Sequence, residues 1–409
     1  MSIRGTGLRG RGHLGRIVRA FTAALVVVAA AANLPASATG LRRGHTIPTG
    51  PRAVRGTRAD TPKHLSQNAG AEPGTGIAAP TPPTSATPLP PTPAGAVGSF
   101  DASQSARLQT VLDTWTASAP GVGAMTVALR LGGRTWVGAA RADRGAAPDI
   151  GATYRVMSIT KTFTAALVLR AVSAGKLTLD GPLPNLEAVP TPIPAGLTVR
   201  RLLGHRSGLV DYAEAPGYQA DQVITPEHAV ELSLRASLVS EPGTTTRYVN
   251  SNYLLLGLLL QQVEHRSYPE LVADLAGSLG LSHTHVDPPD RPGWAGFSSG
   301  GIMSSVGDVA LWGDALFTPG RVVSPESLAS MATAGDLEGG LGLWGICPCA
   351  EGAQGIDRFT AIGHHTVAGG MFRFPQSGMT LVMRAEPDGG DTKGRAVALA
   401  QGLLRGLAG

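Results

Sequence analysis

Val156-Met157-Ser158-Ile159-Thr160-Lys161-Thr162-Phe163 places a hydroxyl and an amine three residues apart at the start of an apolar run. The run over residues 163–172 is apolar on nearly every side and stops at Gly175-Lys176, which is typical of a helix buried in a domain core. Residues i and i+3 of a helix lie on one face, with Cβ atoms about 5–6 Å apart. The spacing therefore predicts that Ser158 is a nucleophile and that Lys161 is its general base.

The Ser-x-x-Lys pattern is short, and it also has a purely structural interpretation, because serine is a favourable helix N-cap. Ser173-Ala174-Gly175-Lys176 fits the same pattern, but it crosses a glycine at a helix end, where two side chains diverge. The chain contains only four lysines against thirty arginines, which favours a chemical reason for Lys161. Arginine keeps its proton in a protein and cannot act as a base.

The first 98 residues differ in composition from the other 311. They contain eleven basic and two acidic residues, a net charge of +9, whereas the remainder contains 23 basic and 27 acidic residues, a net charge of −4. Five arginines precede an apolar run over residues 20–32, and Ala36-Ser37-Ala38 offers a small-residue cleavage site. This layout predicts a signal peptide over residues 1–38 and a secreted or envelope-associated protein, with an uncleaved N-terminal membrane anchor as the alternative.

Residues 39–98 are rich in Pro, Thr, Ala and Gly, which predicts a disordered linker, and residues 99–409 have the composition of one folded domain. Because the positive charge belongs to the leader and linker, no nucleic-acid partner is expected. Cys347 and Cys349 flank Pro348, and a bridge between them would close a small, strained ring. We interpret them as a loop feature, with metal binding as a remote alternative.

The order of the predicted elements favours an α/β (α+β) domain. Two strands come first, then a long helical insert, then at least three strands and a final helix, so both chain ends supply one antiparallel sheet flanked by helices, and the insert forms a second, helical lobe. A cleft between lobes is the expected place for a small-molecule site. Predicted helices cover residues 104–117, 199–203, 226–234, 253–263, 268–279, 305–316 and 393–407, and predicted strands cover 125–131, 134–140, 358–362, 371–374 and 379–384.

Tyr248-Val249-Asn250 precedes an apolar helix and carries two further polar candidates. A tyrosine hydroxyl near a lysine can relay a proton, and an asparagine amide can hold a substrate amide. Packing and capping are the alternative roles for both residues at such a junction.

Gly363-His364-His365-Thr366-Val367-Ala368-Gly369-Gly370 follows a predicted strand and opens into glycines, which let backbone approach a ligand. Adjacent histidines on a strand point to opposite faces, so only one can face a given site. A pair of surface histidines is the alternative interpretation.

Two rival sites are weaker. His283, His285 and Asp287 have a spacing that suits metal ligands on a strand, but their surroundings are rich in proline and typical of a surface loop, so no metal is expected. Gly296-Phe297-Ser298-Ser299-Gly300 fits the Gly-x-Ser-x-Gly nucleophile elbow, which requires a strand before it and a helix after it. The flanking residues predict neither, so Ser298 is not expected to be the nucleophile.

Taken together, the motifs at Ser158, Tyr248 and His364 resemble the serine β-lactamase and penicillin-binding-protein family, in the branch of class C β-lactamases and D-alanyl-D-alanine carboxypeptidases. The resemblance covers about residues 100–405. Accessory stretches of similar text occur in the same order: residues 175–180, residues 198–209, and residues 300–305 with Asp308.

The resemblance implies that Ser158 attacks a carbonyl, that Lys161 accepts its proton, and that Tyr248 passes a proton to the leaving group. It implies that Asn250 binds the substrate amide, and that His364, Thr366 and Val367 belong to the substrate-binding third motif. The backbone N–H groups of Ser158 and Val367 would stabilise the oxyanion. Thr366 stands where the family has glycine, so a side chain could narrow the substrates accepted.

The expected function is that of an exported serine hydrolase that forms an acyl-enzyme with D-alanyl-D-alanine-type peptides. A β-lactamase or a small-ester hydrolase of the same fold is the first alternative. A penicillin- or peptidoglycan-binding protein that has lost turnover is the alternative of another class, because of the missing glycine. No cofactor is expected, and the expected partners are small molecules or peptides, such as peptidoglycan stem peptides or β-lactams.

Overall fold

The computed structural model describes residues 98–143, 145–288, 290–332, 340–344, 369–375, 377–386 and 392–408. The predicted signal peptide, almost all of the predicted linker, Cys347, Cys349 and the strand predicted over residues 358–362 lie outside the described residues. His364, Thr366 and Val367 of the third motif lie outside them as well.

Eight strands form two sheets within the described residues. The central sheet has the order β1-β3-β2-β8-β7, and a small second sheet has the order β4-β6-β5. All pairings in them are antiparallel except that of β1 with β3. The strands are β1 (Gly98–Ser99), β2 (Ala124–Leu131), β3 (Arg134–Arg141), β4 (Tyr154–Arg155), β5 (His285–Val286), β6 (Ile302–Ser304), β7 (Gly369–Phe374) and β8 (Met379–Glu386).

Ten α-helices accompany the sheets in the described part of the chain, and two short 3₁₀ turns cover Met157–Ile159 and Tyr212–Glu214. None of these helices is long and apolar enough to span a bilayer. The helices are α1 (Ala102–Ser118), α2 (Thr160–Ser173), α3 (Val199–Leu203), α4 (Pro226–Arg235), α5 (Asn250–Glu264), α6 (Tyr268–Leu279), α7 (Phe297–Gly300), α8 (Val306–Leu316), α9 (Pro325–Ala332) and α10 (Thr392–Ala408).

Gly132-Gly133 between the first two predicted strands predicts a two-residue hairpin turn, and the hairpin of β2 and β3 confirms it. Gly132 and Gly133 have φ of 58° and 76°, the left-handed values that a two-residue primed turn requires and that glycine adopts at little cost. Leu131 consequently pairs with Arg134, and the register runs to Ala124 opposite Arg141. On its other edge β2 pairs with β8, so the two ends of the chain share one sheet, as predicted.

The central sheet has a hydrophobic core on each face, because side chains alternate along a strand. One core is shared with the terminal helices α1 and α10, and its members include Leu108, Leu112, Val127, Leu381, Leu399 and Leu403. The opposite face, with Ala128 and Val382, packs on α8. Trp312 of α8 stacks on Phe163 of α2 with ring centroids 3.8 Å apart, which ties the sheet to the helical lobe.

For the predicted elements that fall on described residues, order and bounds agree with the structure to within two residues, with one exception. Helix α5 begins at Asn250 rather than at residue 253. The carboxylate of Asp211 accepts the backbone N–H of Asn250 at 2.5 Å, and this supplies the acceptor that the first N–H groups of a helix lack, so an extra turn is stable. The sequence analysis also missed the small sheet, whose strands of two or three residues are too short to show a period.

Candidate active site

Ser158 lies in the 3₁₀ turn Met157–Ile159, directly before α2. Ser158 thus stands at a helix start, as predicted, with a 3₁₀ turn in place of the first α-helical turn. A 3₁₀ turn also brings residues i and i+3 to one side, so the expected proximity remains. Met157 has a φ of 49°, a costly value for a side chain that is not glycine, and such backbone strain is found mostly at functional sites.

Lys161 is buried, with 1% of its surface exposed, and its Nζ has three oxygen neighbours. They are Oγ of Ser158 at 3.1 Å, Oδ1 of Asn250 at 2.9 Å and the backbone carbonyl oxygen of Ser299 at 2.6 Å. Burial lowers the pKa of Lys161 to about 7, and the negative charge of Asp211 opposes that effect. A large fraction of this amine is therefore neutral near pH 7.

The contacts of Nζ determine what the neutral amine can do. A neutral amine has two N–H donors and one lone pair, and the carbonyl oxygens of Asn250 and Ser299 can only accept hydrogen bonds. The two N–H groups are therefore occupied by these oxygens. The lone pair is left for the hydroxyl proton of Ser158, which is the arrangement that a general base needs.

Tyr248 lies on the other side of the serine, with its hydroxyl oxygen 2.7 Å from Ser158 Oγ. Burial raises the pKa of Tyr248 well above its usual value, so the phenol keeps its proton near neutral pH. Because the serine proton points to Lys161, the phenol donates to Ser158 Oγ. The phenol is thus placed to give a proton to an atom that is attached to the same carbon as Ser158 Oγ.

Tyr248 and Asn250 reach the same site because Val249 between them is extended, with φ of −139° and ψ of 119°. Side chains two residues apart on extended backbone point to one side. The structure therefore brings together the four residues that the sequence analysis placed at the centre of the site.

Two groups at this site escaped the sequence analysis. The carboxylate of Asp211 accepts the backbone N–H groups of Asn250 and of Ala213, at 2.5 Å and 3.2 Å, and acts on the charge of Lys161. The second group is the carbonyl of Ser299, a backbone atom without any sequence signature. The only signal for Asp211 was an aspartate at a turn start, a common capping pattern.

The residues of the elbow-like motif lie behind the lysine. Ser298 is fully buried in the short helix α7, and its hydroxyl donates to the carbonyl of Tyr253 at 2.8 Å. Among the described residues directly before this helix, 293–296 form a turn and irregular backbone, so no strand leads into it. This geometry supports the prediction that Ser298 is not a nucleophile.

The second Ser-x-x-Lys pair and the histidine cluster do not form sites either. Nζ of Lys176 pairs with Oε2 of Glu264 at 2.6 Å, away from Ser173. His283 lies 3.7 Å from Asp308 and His285 lies 3.2 Å from Asp287, so the two histidines contact different carboxylates. Across the described ranges, no group of three or more His, Cys, Asp or Glu residues could hold a metal ion.

The sequence of this chain matches a known protein family. The family model described as Beta-lactamase matches residues 110–341, more than half of the chain, from the middle of α1 to beyond the end of α9. This chain belongs to the beta-lactamase family. Membership in the beta-lactamase family agrees with the observed fold, a mixed α/β structure with helices on both faces of its central sheet.

The individual relatives of this chain share about a third or less of their residues with it, and only over part of its length. A probable fimbrial assembly protein FimD of Dichelobacter nodosus is 32% identical over 139 residues, 32% of this chain and 34% of the relative. The D-alanyl-D-alanine-carboxypeptidase/endopeptidase AmpH of Escherichia coli K12 is 26% identical over 200 residues, 43% of this chain and 51% of AmpH. The chain thus matches between a third and about half of the length of these curated relatives.

Among solved structures, the D-amino acid amidase of Ochrobactrum anthropi SV3 in complex with D-phenylalanine superimposes with a TM-score of 0.59. The match covers 74% of this chain and 99% of the amidase, at 23% sequence identity. At that identity the similarity shows the fold alone. The beta-lactamase family thus includes this chain, and the curated relatives that the chain partly matches include a D-alanyl-D-alanine-carboxypeptidase/endopeptidase.

Proposed function

We propose that this protein is an exported serine hydrolase that forms an acyl-enzyme on Ser158 and acts as a carboxypeptidase on peptides ending in D-alanyl-D-alanine. One observation carries the proposal: Ser158 Oγ lies between Nζ of Lys161, at 3.1 Å, and the phenol of Tyr248, at 2.7 Å. A hydroxyl between a neutral amine and a protonated phenol has both the base and the acid that acyl transfer requires.

The reaction follows from these contacts. Lys161 takes the proton of Ser158 as Oγ bonds to the substrate carbonyl carbon, and the carbonyl π electrons move to its oxygen. In the next step the oxyanion electrons re-form the C=O bond, the C–N bond breaks with its electron pair on nitrogen, and the leaving nitrogen takes a proton from Tyr248. The Lys161 ammonium returns a proton to the phenol, so both groups regain their starting states. Water then hydrolyses the ester on Ser158 by the same proton transfers in reverse order.

The choice of substrate rests on two relatives. AmpH is described as a D-alanyl-D-alanine-carboxypeptidase/endopeptidase, and the protein with the same fold is described as a D-amino acid amidase complexed with D-phenylalanine. Both descriptions name a D-amino acid. A carbonyl flanked by a D residue is therefore the substrate class that we propose, with Asn250 holding the adjacent amide.

Labelling with a fluorophosphonate and with a fluorescent penicillin, followed by mass spectrometry of the modified peptide, tests the nucleophile. We expect an adduct on the peptide that contains Ser158, loss of labelling in Ser158→Ala, and normal labelling in Ser298→Ala. The opposite behaviour of the two variants would exclude the assignment.

Product analysis with the same protein then separates the activities. Release of D-alanine from a D-alanyl-D-alanine peptide supports the carboxypeptidase, and its absence with opening of a β-lactam ring supports a β-lactamase. Turnover of p-nitrophenyl esters alone supports an esterase. Labelling of Ser158 without any turnover supports a binding protein.

A further inference from the structure

His205 lies directly behind the phenol of Tyr248, although it does not reach Ser158. Its imidazole is buried, with 2% of the residue exposed, and the two ring centroids are 4.5 Å apart with the planes tilted by 33°. Tyr253 and Trp344 enclose the imidazole further, with ring centroids at 5.1 Å and 5.5 Å.

Two hydrogen bonds connect His205 to the backbone on each side of Tyr248. The N–H of Arg247 donates to the carbonyl oxygen of His205 at 2.9 Å. The N–H of Val249 donates to Nδ1 of the same histidine at 3.0 Å. One residue therefore holds the backbone both before and after the tyrosine.

The backbone of His205 is adapted to this double contact. Its φ is 55°, in the left-handed region, which is unfavourable for a residue with a Cβ. Histidine, asparagine and aspartate tolerate that region better than most side chains. The conformation turns the carbonyl and the ring of one residue toward the same neighbouring segment.

A chain of hydrogen bonds defines the state of the ring. The N–H of Leu209 donates to Ser207 Oγ at 3.1 Å, and that hydroxyl donates to Asn252 Oδ1 at 2.6 Å. The amide nitrogen of Asn252 therefore faces His205 Nδ1, at 3.4 Å. With Asn252 and Val249 both donating to it, Nδ1 carries no proton, and the ring is neutral with its hydrogen on Nε2. Burial, and then the nearby Lys161, lower the pKa of His205 well below its usual value, in agreement with that state.

We propose that His205 is the positioning residue of Tyr248, and that its unprotonated Nδ1, by accepting the N–H of Val249, keeps the phenol within hydrogen-bond distance of Ser158. The inference rests on the proposed role of Tyr248 as the proton donor to the leaving group. Its consequence is selective. Acylation by a substrate whose leaving group needs a proton depends on His205, and acylation by a substrate whose leaving group departs as a stable anion does not.

Three variants separate this role from a general effect on folding. In His205→Asn, Oδ1 of asparagine lies close to the place of Nδ1, and asparagine tolerates a positive φ, so the acceptor is retained. His205→Gln places its acceptor further along the side chain, near Nε2, and His205→Ala has none. Labelling by a fluorophosphonate, which loses fluoride and needs no proton donor, counts the folded sites in each variant.

The measurement compares N-acetyl-D-alanine p-nitroanilide, an amide, with the p-nitrophenyl ester of the same acyl group, and it follows acylation alone through the release of p-nitroaniline or p-nitrophenol in a single turnover. Deacylation of the shared acyl-enzyme, in which Tyr248 takes a proton from water, is thereby left out of the comparison. We expect His205→Gln and His205→Ala to lower the acylation rate for the anilide by about 10–100-fold, the scale of a misplaced catalytic group, with substrate affinity little changed. The rate for the ester should change little, and His205→Asn should restore most of the anilide rate. Adding His205→Gln to Tyr248→Phe should reduce the anilide rate no further, because both changes remove one function.

The outcomes distinguish the two proposals. If Tyr248→Phe lowers the amide and ester rates equally, the proton-donor role of Tyr248 is wrong and the role of His205 falls with it. If Tyr248→Phe is selective for the amide but His205→Gln is not, only the role of His205 is overturned. If His205→Gln is not labelled by the fluorophosphonate, its sites are not folded and the test passes to His205→Asn. A selective loss of the amide rate in His205→Asn, which retains the acceptor, would also overturn the role of His205.

Discussion

Burial keeps much of the Lys161 amine neutral near pH 7 and so able to accept a proton, and at the residue scale this predicts that a permanent cation cannot replace it. We expect Lys161→Arg to be nearly as slow as Lys161→Ala in labelling by fluorescent penicillin, because arginine keeps its proton in proteins. The matched control is Lys176→Arg, since Lys176 forms an ordinary surface ion pair with Glu264. Substantial labelling of Lys161→Arg would mean that positive charge, rather than proton transfer, is what the site needs.

Asp211 adjusts the same lysine from a second residue. Its negative charge raises the pKa of Lys161 against the effect of burial, which lowers it to about 7. The amine is active when neutral, so the labelling rate should rise with pH through about 7 in the wild type. In Asp211→Asn the pKa of Lys161 falls further, and the rise should move to lower pH.

The groups around Nζ make this prediction specific. Tyr248 and Tyr253, whose rings lie 4.9 Å and 5.5 Å from Nζ, have pKa values raised by burial, and His205 is neutral, so Asp211 is the anion that acts on Lys161. The measurement is the pH dependence of fluorophosphonate labelling, with Asp221→Asn on the exposed surface as control. A rise that stays at the same pH, or moves upward, in Asp211→Asn would contradict the electrostatic role.

At the scale of elements, the close approach of α5 to α7 supports the site from behind. A Cβ added at Gly257 of α5 would lie 2.1 Å from Ser298 Oγ and 2.5 Å from Ser298 Cβ. Gly257→Ala therefore requires α7 to move, which we expect to cost about 1–3 kcal/mol, the usual cost of overpacking. The shift would also displace the carbonyl of Ser299 from Lys161, so the labelling rate should fall as well.

Gly277 of α6 provides the matched control for this prediction. A Cβ there would have no atom within 4 Å, so Gly277→Ala should stabilise the helix by about 0.5–1 kcal/mol. Urea denaturation of both variants measures the free energies of unfolding. Equal stability of the two variants would show that α5 and α7 have more space between them than their packing indicates.

At the scale of the whole molecule, the start of the folded domain can be tested by truncation. Gly98 and Ser99 pair with Arg134 and Thr135, and Phe100 is 4% exposed beneath the guanidinium of Arg134 at 4.5 Å. A chain that starts at residue 96 should keep the thermal stability and labelling of the full chain. This outcome would support the predicted leader and linker over residues 1–98.

A chain that starts at residue 104 is the comparison. It loses Phe100 and also Asp101, whose carboxylate caps α1 by accepting the N–H of Gln104 at 2.7 Å. The loss of a buried phenylalanine costs about 3–5 kcal/mol, and the loss of a cap adds about 1 kcal/mol. Thermal unfolding followed by circular dichroism measures the difference. If the shorter chain were as stable as the longer one, β1 and its neighbours would not belong to the folded domain.

The amino-acid sequence alone determined the features that depend on neighbours in the chain. The glycine pair of the β2–β3 hairpin, the periodic helices and the spacing between Ser158 and Lys161 are local, because turns and helical faces are defined within a few residues. The order of these elements was enough to predict one antiparallel sheet with a helical lobe. Tyr248 and Asn250 were recognised through a resemblance, since nothing in their own pattern distinguishes catalysis from capping.

Only the tertiary structure decided the chemistry of Lys161. Its low pKa comes from burial among segments 50–140 residues away, and its lone pair is directed at Ser158 by the carbonyls of Asn250 and Ser299, at sequence separations of 89 and 138. Desolvation and backbone acceptors have no sequence pattern, because they arise when distant segments exclude water from one point. The roles of Asp211 and His205 escaped the sequence analysis for the same reason, since each acts through backbone N–H groups that every residue but proline carries.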